Sequence, residues 1–171
     1  PDLQAIPEEV AKRAKFIYVN YPNNPTGAVA TAAFYEELVA WAKKYEVGVV
    51  SDFAYGALGA DGYENPSFLS TPGAKDVGIE LYTFSKTFNM AGWRLAFAAG
   101  NEQLIEALNL LQDHLFVSIF PAIQDAGAVA LLDEKAKAAI AGLNQKYNER
   151  RHAFVQAAEK IGWHAFESKG S

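Results

Sequence analysis

Ile79-Glu80-Leu81-Tyr82-Thr83-Phe84-Ser85-Lys86-Thr87-Phe88-Asn89-Met90-Ala91-Gly92-Trp93-Arg94-Leu95-Ala96-Phe97-Ala98-Ala99 decides the fold. It opens with a strand-like run, Ile79 to Phe84, that ends at Ser85-Lys86. It closes with a second run, Leu95 to Ala99. The link between them is short, whereas a parallel crossover needs about a dozen residues or more. The two strands are therefore expected to pair antiparallel. Arg94, the first residue of the second strand, then lies on the same sheet edge as Lys86.

Upstream, the pattern is strand, helix, strand. Phe16 to Val19 is a short apolar run that enters the turn segment Asn20-Tyr21-Pro22-Asn23-Asn24-Pro25-Thr26-Gly27. From Thr31 to Tyr45, Phe34, Leu38 and Trp41 recur at helical spacing, with Thr31 as N-cap. Val47 to Val50 is a second buried strand ending at Ser51-Asp52, and a Gly- and Pro-containing loop runs from Gly56 to about Gly73. A βαβ pattern with near-continuous apolar strands implies a mostly parallel sheet with helices on both faces. The expected fold is α/β, with one antiparallel strand. Downstream, the spacing predicts helices from Glu102 to His114 and from Pro121 to Leu132. A longer one runs from Lys135 to Ile161 with an interruption at Gly142, after which His164-Ala165-Phe166 begins a new element.

Composition narrows the functional classes. The chain has 171 residues, 50% hydrophobic and 20% charged, with a formal net charge of -5. That suits one globular domain, or a domain and part of another. No basic cluster with interleaved aromatics is present, so a nucleic-acid surface is not expected. The absence of cysteine excludes disulfides, thiolate metal sites and cysteine nucleophiles. No apolar stretch approaches the roughly 18 residues of a membrane span. Both ends, at Pro1 and at Ser171, read as cuts through a longer protein.

Ligands of open parallel sheets bind beyond the carboxyl ends of the strands. Here the first strand leads to Asn24, the second to Asp52 and the third to Lys86. Arg94 returns to the same edge, with Tyr55, Thr83 and Ser85 close by. Each residue taken singly has an ordinary explanation. A lysine after a strand is commonly a solvated loop residue, Asp52 can cap a turn, and Asn24 before Pro25 suits a turn. Arg94 can stack on Trp93. His114, His152 and His164 fall in or after helical patterns and read as structural. It is the joint arrangement that points to a site.

Three segments carry a resemblance. Tyr21 to Gly27 resembles the Asn-Pro-Thr-Gly signature of class I/II aminotransferases, enzymes of fold type I that use pyridoxal phosphate. Ser51-Asp52-Phe53-Ala54-Tyr55 resembles their Asp-x-x-Tyr segment. Thr83 to Arg94 is similar to their lysine motif, with the arginine eight residues after the lysine. Bacterial methionine-transaminase and LL-diaminopimelate-aminotransferase types look most similar.

The resemblance implies a role for each position. Lys86 would be the catalytic residue, forming a Schiff base with pyridoxal 5'-phosphate and then shuttling a proton. A lysine amine ordinarily titrates at about 10.4, so burial and the Arg94 cation are expected to favour its neutral form. Asp52 would face the pyridine nitrogen, and Tyr55 and Asn24 the ring 3'-oxygen. Thr83, Ser85 and Arg94 would hold the phosphate. No metal is expected.

Residues 1–134 would belong to the cofactor-binding large domain, 135–162 to a bridging helix, and 163–171 to the start of a small C-terminal domain. The phosphate loop, the ring-stacking aromatic and the substrate-carboxylate arginine would lie outside Pro1–Ser171, leaving this stretch inactive alone. The implied protein is a cytoplasmic homodimer that moves an amino group between an amino acid and a 2-oxo acid. A carbon-sulfur lyase on the same scaffold, a transcriptional regulator that uses such a domain to sense the cofactor, and a degenerate structural relative are the alternatives.

Overall fold

Four strands form one sheet in the order β1-β2-β3-β4, in a computed structural model that describes residues 1–166 and 168–170. The strands are β1 (Phe16–Asn20), β2 (Gly48–Asp52), β3 (Gly78–Thr83) and β4 (Ala96–Gly100). The pairs β1·β2 and β2·β3 are parallel, and β3·β4 is antiparallel. The register sets Asn20 opposite Asp52, Asp52 opposite Leu81 and Thr83 opposite Ala96. The carboxyl ends of three strands and the start of the fourth thus share one edge, as the short link after Lys86 requires.

The helices are α1 (Glu8–Ala11), α2 (Ala32–Tyr45), α3 (Ala74–Val77), α4 (Phe84–Thr87), α5 (Glu102–Leu115), α6 (Pro121–Leu132) and α7 (Glu134–Lys160). Helix α2 starts where Thr31 Oγ1 accepts the Phe34 N–H at 3.1 Å. It ends at Glu46, whose left-handed φ of 54° stops the helix. Its inner stripe of Tyr35, Leu38, Val39, Trp41 and Ala42 is buried together with Val19, Val47, Val49 and Phe68. This cluster fixes α2 against β1 and β2, because a helix with one apolar stripe is stable only when that stripe is covered.

Several boundaries differ from the sequence reading. Phe84, Ser85 and Lys86 do not extend the third strand. Thr83 caps a helical turn instead, its Oγ1 accepting the Ser85 N–H at 3.2 Å. Helix α7 passes through Gly142 without a break. One glycine in a helix is unfavourable by only about 1 kcal/mol relative to alanine, and 27 residues of continuous ladder outweigh it. The chain leaves α7 at Gly162, where φ is +83°. His164 to Phe166 form no strand; Gly170 makes an isolated antiparallel bridge to Gly59 instead.

Under the sheet, Glu80 of β3 is a buried carboxylate that sequence reading passed over as one polar residue in an apolar run. It accepts Ser67 Oγ at 2.6 Å, the Phe68 N–H at 2.8 Å and Ser51 Oγ at 3.1 Å. It pins the loop between β2 and β3 to the sheet. Burial pushes its pKa above the ordinary carboxylate value, and the three hydrogen bonds only partly offset that. No helix among the described residues is long and apolar enough to cross a membrane.

Candidate active site

The turn after β1 is organised by Asn20. Its Oδ1 accepts the Asn24 N–H at 3.2 Å and Asn23 Nδ2 at 3.3 Å, and its Nδ2 donates to the Asp52 carbonyl at 3.1 Å. Thr26 Oγ1 donates to Asn23 Oδ1 at 2.7 Å, and the Gly27 N–H reaches the Asn23 carbonyl at 2.7 Å. The turn closes through a left-handed Gly27, φ +65°, a conformation glycine adopts without a Cβ clash. Lashed to the end of β2 in this way, the turn brings Asn24 Nδ2 within 3.2 Å of Tyr55 Oη, to which it donates.

Asp52 ends β2 with an exposed carboxylate whose Oδ1 accepts the Ala54 N–H at 3.2 Å. Lys86, in α4, carries its Nζ over the Tyr55 ring, 5.7 Å from the centroid. Contrary to expectation, Lys86 is exposed. Thr83 Oγ1 donates to Ser85 Oγ at 3.0 Å. Arg94 is not the first residue of β4. It caps a 3-10 turn, Ala91–Trp93, with φ 54°, and its Nη1 donates to the Ala91 carbonyl at 2.8 Å.

Asn24, Tyr55 and Lys86 share one cavity of about 510 Å³, within the usual range for small-ligand sites. Asp52, Thr83, Ser85 and Arg94 stand on the same sheet edge but do not line it. Among the lining side chains that sequence reading missed are Tyr147 and Arg151, which lie four residues apart on α7. Their helical spacing was the available signal. Arg151 also borders a second cavity, of about 650 Å³, with Asp61 and His152. Its guanidinium pairs with Asp61 and holds that carboxyl below the usual range, with a further contribution from His152. His152 Nε2 lies 3.1 Å from Asp61 Oδ1, while His114 and His164 are exposed. Among the described residues, no group of three or more His, Asp or Glu side chains could hold a metal ion.

The geometry defines a class: an α/β domain that presents an amine, a phenol, an amide and a carboxylate at the carboxyl edge of its sheet. The sequence profile of "Aminotransferase class I and II" matches residues 1–171, and the chain belongs to that family. It is 53% identical over 171 residues to the L-glutamine–4-(methylsulfanyl)-2-oxobutanoate aminotransferase of Bacillus subtilis, covering 100% of this chain and 42% of that protein. It is 45% identical to the LL-diaminopimelate aminotransferase of Moorella thermoacetica, covering 100% of this chain and 43% of that one. The solved structure of substrate-bound BacF from Bacillus subtilis superposes with a TM-score of 0.95 at 47% identity, over 100% of this chain and 43% of that one. The chain thus spans about two fifths of the length of these relatives.

Proposed function

We propose that the full-length protein is a pyridoxal-phosphate-dependent transaminase that moves an amino group between an amino acid and a 2-oxo acid. The observation that carries this reading is the meeting of Lys86, Tyr55 and Asn24 in one cavity, beside Asp52 at the neighbouring strand end. The relatives' names, all aminotransferases or transaminases, support it.

The donor set fits the cofactor. Lys86 Nζ would offer an amine to its carbonyl carbon, Tyr55 Oη and Asn24 Nδ2 would hold its ring oxygen, and Asp52 would offer a carboxylate to its ring nitrogen. The hydroxyls of Thr83 and Ser85 and the Arg94 guanidinium suit its phosphate. When bound, pyridoxal phosphate supplies an electron sink for the pair released at the substrate Cα. Lys86 Nζ takes the proton from that carbon and returns it at the next stage. Asn24 and Tyr55 orient the ring. A cytoplasmic homodimer belongs to the same proposal.

Borohydride reduction of the full-length holoenzyme, followed by peptide mapping, tests the assignment. The label is expected on Lys86; a label on another lysine refutes it.

A further inference from the structure

We propose that Arg151 is a positioning residue for Tyr55, acting through Asp61; this rests on the Lys86 site proposed above. The stretch from Tyr55 to Asp61 pairs as a strand only at the isolated Gly59–Gly170 bridge and is held largely by side chains, among them Asn65, whose Nδ2 donates to the Gly56 and Leu58 carbonyls at 3.1 and 3.2 Å. Helix α7 supplies three of them from one face. Asn144 Nδ2 donates to the Ala57 carbonyl at 2.8 Å, Asn148 Oδ1 accepts the Asp61 N–H at 3.2 Å, and Arg151 pairs with the Asp61 carboxylate. Spacings of four and three residues put these groups in one row. On the other side, the Ala60 N–H donates to the Lys169 carbonyl at 3.0 Å.

Asp61 is where the clamp matters most. Its φ of 51° and ψ of 39° lie in the left-handed region, sparsely populated for residues other than glycine. Its N–H and its carboxylate are both taken by α7. Arg151 is the least exposed partner among the described ion pairs, at 25% of its side chain, so solvent screens this pair least. Among the described residues, its Nε is buried without an acceptor. A stranded donor is unfavourable, so the pairing at Nη2 is what holds the guanidinium in place.

The clamped stretch begins at the residue that faces the cavity. The Leu58 N–H donates to the Tyr55 carbonyl at 2.9 Å, so a shift at Ala57–Asp61 is carried to Tyr55. The Tyr55 hydroxyl then loses its register with Asn24. Arg151 touches the same cavity, yet its partner is Asp61, which is why its effect is assigned to position.

The test is a pH titration of cofactor absorbance in the full-length holoenzyme. A hydroxyl that donates to the ring oxygen favours the ionised form, so its loss raises the titration midpoint. One hydrogen bond to a charged oxygen corresponds to about one pH unit. Tyr55→Phe and Arg151→Met are both expected to raise the midpoint, Arg151→Met by no more than Tyr55→Phe. Arg151→Lys is expected to restore most of the shift. In the Tyr55→Phe background, Arg151→Met is expected to add nothing, because both act through one hydroxyl. Should Arg151→Met fail to fold, Asp61→Asn carries the same expectation. An unchanged midpoint with only a lowered Tm overturns the inference, and so does an additive shift in the double variant. Absence of cofactor from Lys86 in the wild type overturns the site assignment, and this inference with it.

Discussion

Asn24 Nδ2 and Tyr55 Oη meet at 3.2 Å although 31 positions separate them. One sits in the turn after β1 and the other in the loop after β2, and the parallel register of Asn20 with Asp52 brings the two loops together. In the full-length enzyme, Tyr55→Phe is expected to lower kcat/KM about tenfold, the equivalent of one hydrogen bond to a charged oxygen. Asn24→Ala combined with Tyr55→Phe is expected to cost less than the sum of the two, since each removes a partner of the other. Steady-state kinetics of the four proteins measure the coupling, and strict additivity would show that the pair does not act as a unit.

Asp52 is expected to tune the cofactor. Asp52→Ala in the intact enzyme should retain some cofactor but slow substrate Cα–H exchange by on the order of a hundredfold or more. Deuterium wash-in at Cα, followed by proton NMR, reads this step directly. Near-wild-type exchange would remove Asp52 from the mechanism.

Glu80 gives a pH signature with a definite sign. Its folded pKa is raised by burial above the ordinary carboxylate value. Between those two values the folded state binds more protons than the unfolded state, so stability falls as pH rises. The contribution is fully present below the ordinary value, is lost through the raised one and is flat above it. Glu80→Gln removes the titration. Relative to that variant, the wild type is expected to lose Tm from about pH 4 upward until the raised pKa is passed. Glu80→Leu leaves two hydroxyls and the Phe68 N–H without their partner and should destabilise by about 2 to 3 kcal/mol. Parallel thermal melts across pH decide both points.

The full-length protein is expected to be a homodimer. Leu110, Leu111, Leu115, Phe116 and Phe120 are all more than half exposed, an apolar surface of the kind that marks an interaction site. Sedimentation of the full-length protein should give the mass of two chains. A fully active monomer would exclude a shared active site.

Much of the architecture was legible because strands and long helices announce themselves by period. The strand beginning near Ile79, the N-cap Thr31 and the helix from Pro121 to Leu132 could be read locally. Even the antiparallel β4 followed from chain length alone. Most of the misreadings fell at element ends. Thr83 stops the strand because its hydroxyl caps the next helical turn, and nothing in an apolar count distinguishes that from one more strand residue. The expected break at Gly142 failed because glycine's propensity is a small term against a continuous hydrogen-bond ladder.

By itself, the sequence determined which segments become strands and helices and that the third and fourth strands run antiparallel, since side-chain period and link length are properties of the chain. It also carried the family's three motifs, so Asn24, Tyr55 and Lys86 could be named as a group. Only the tertiary structure decided what surrounds them. Asn20 as the tie between two strand ends, Glu80 as the pin beneath the sheet and Arg151 as the clamp on Asp61 are contacts across 12 to 90 positions. Such contacts have no local period. They exist because packing α2 and α7 against the loops leaves polar groups whose hydrogen bonds must be satisfied at a distance, and only the folded chain shows which partners do so.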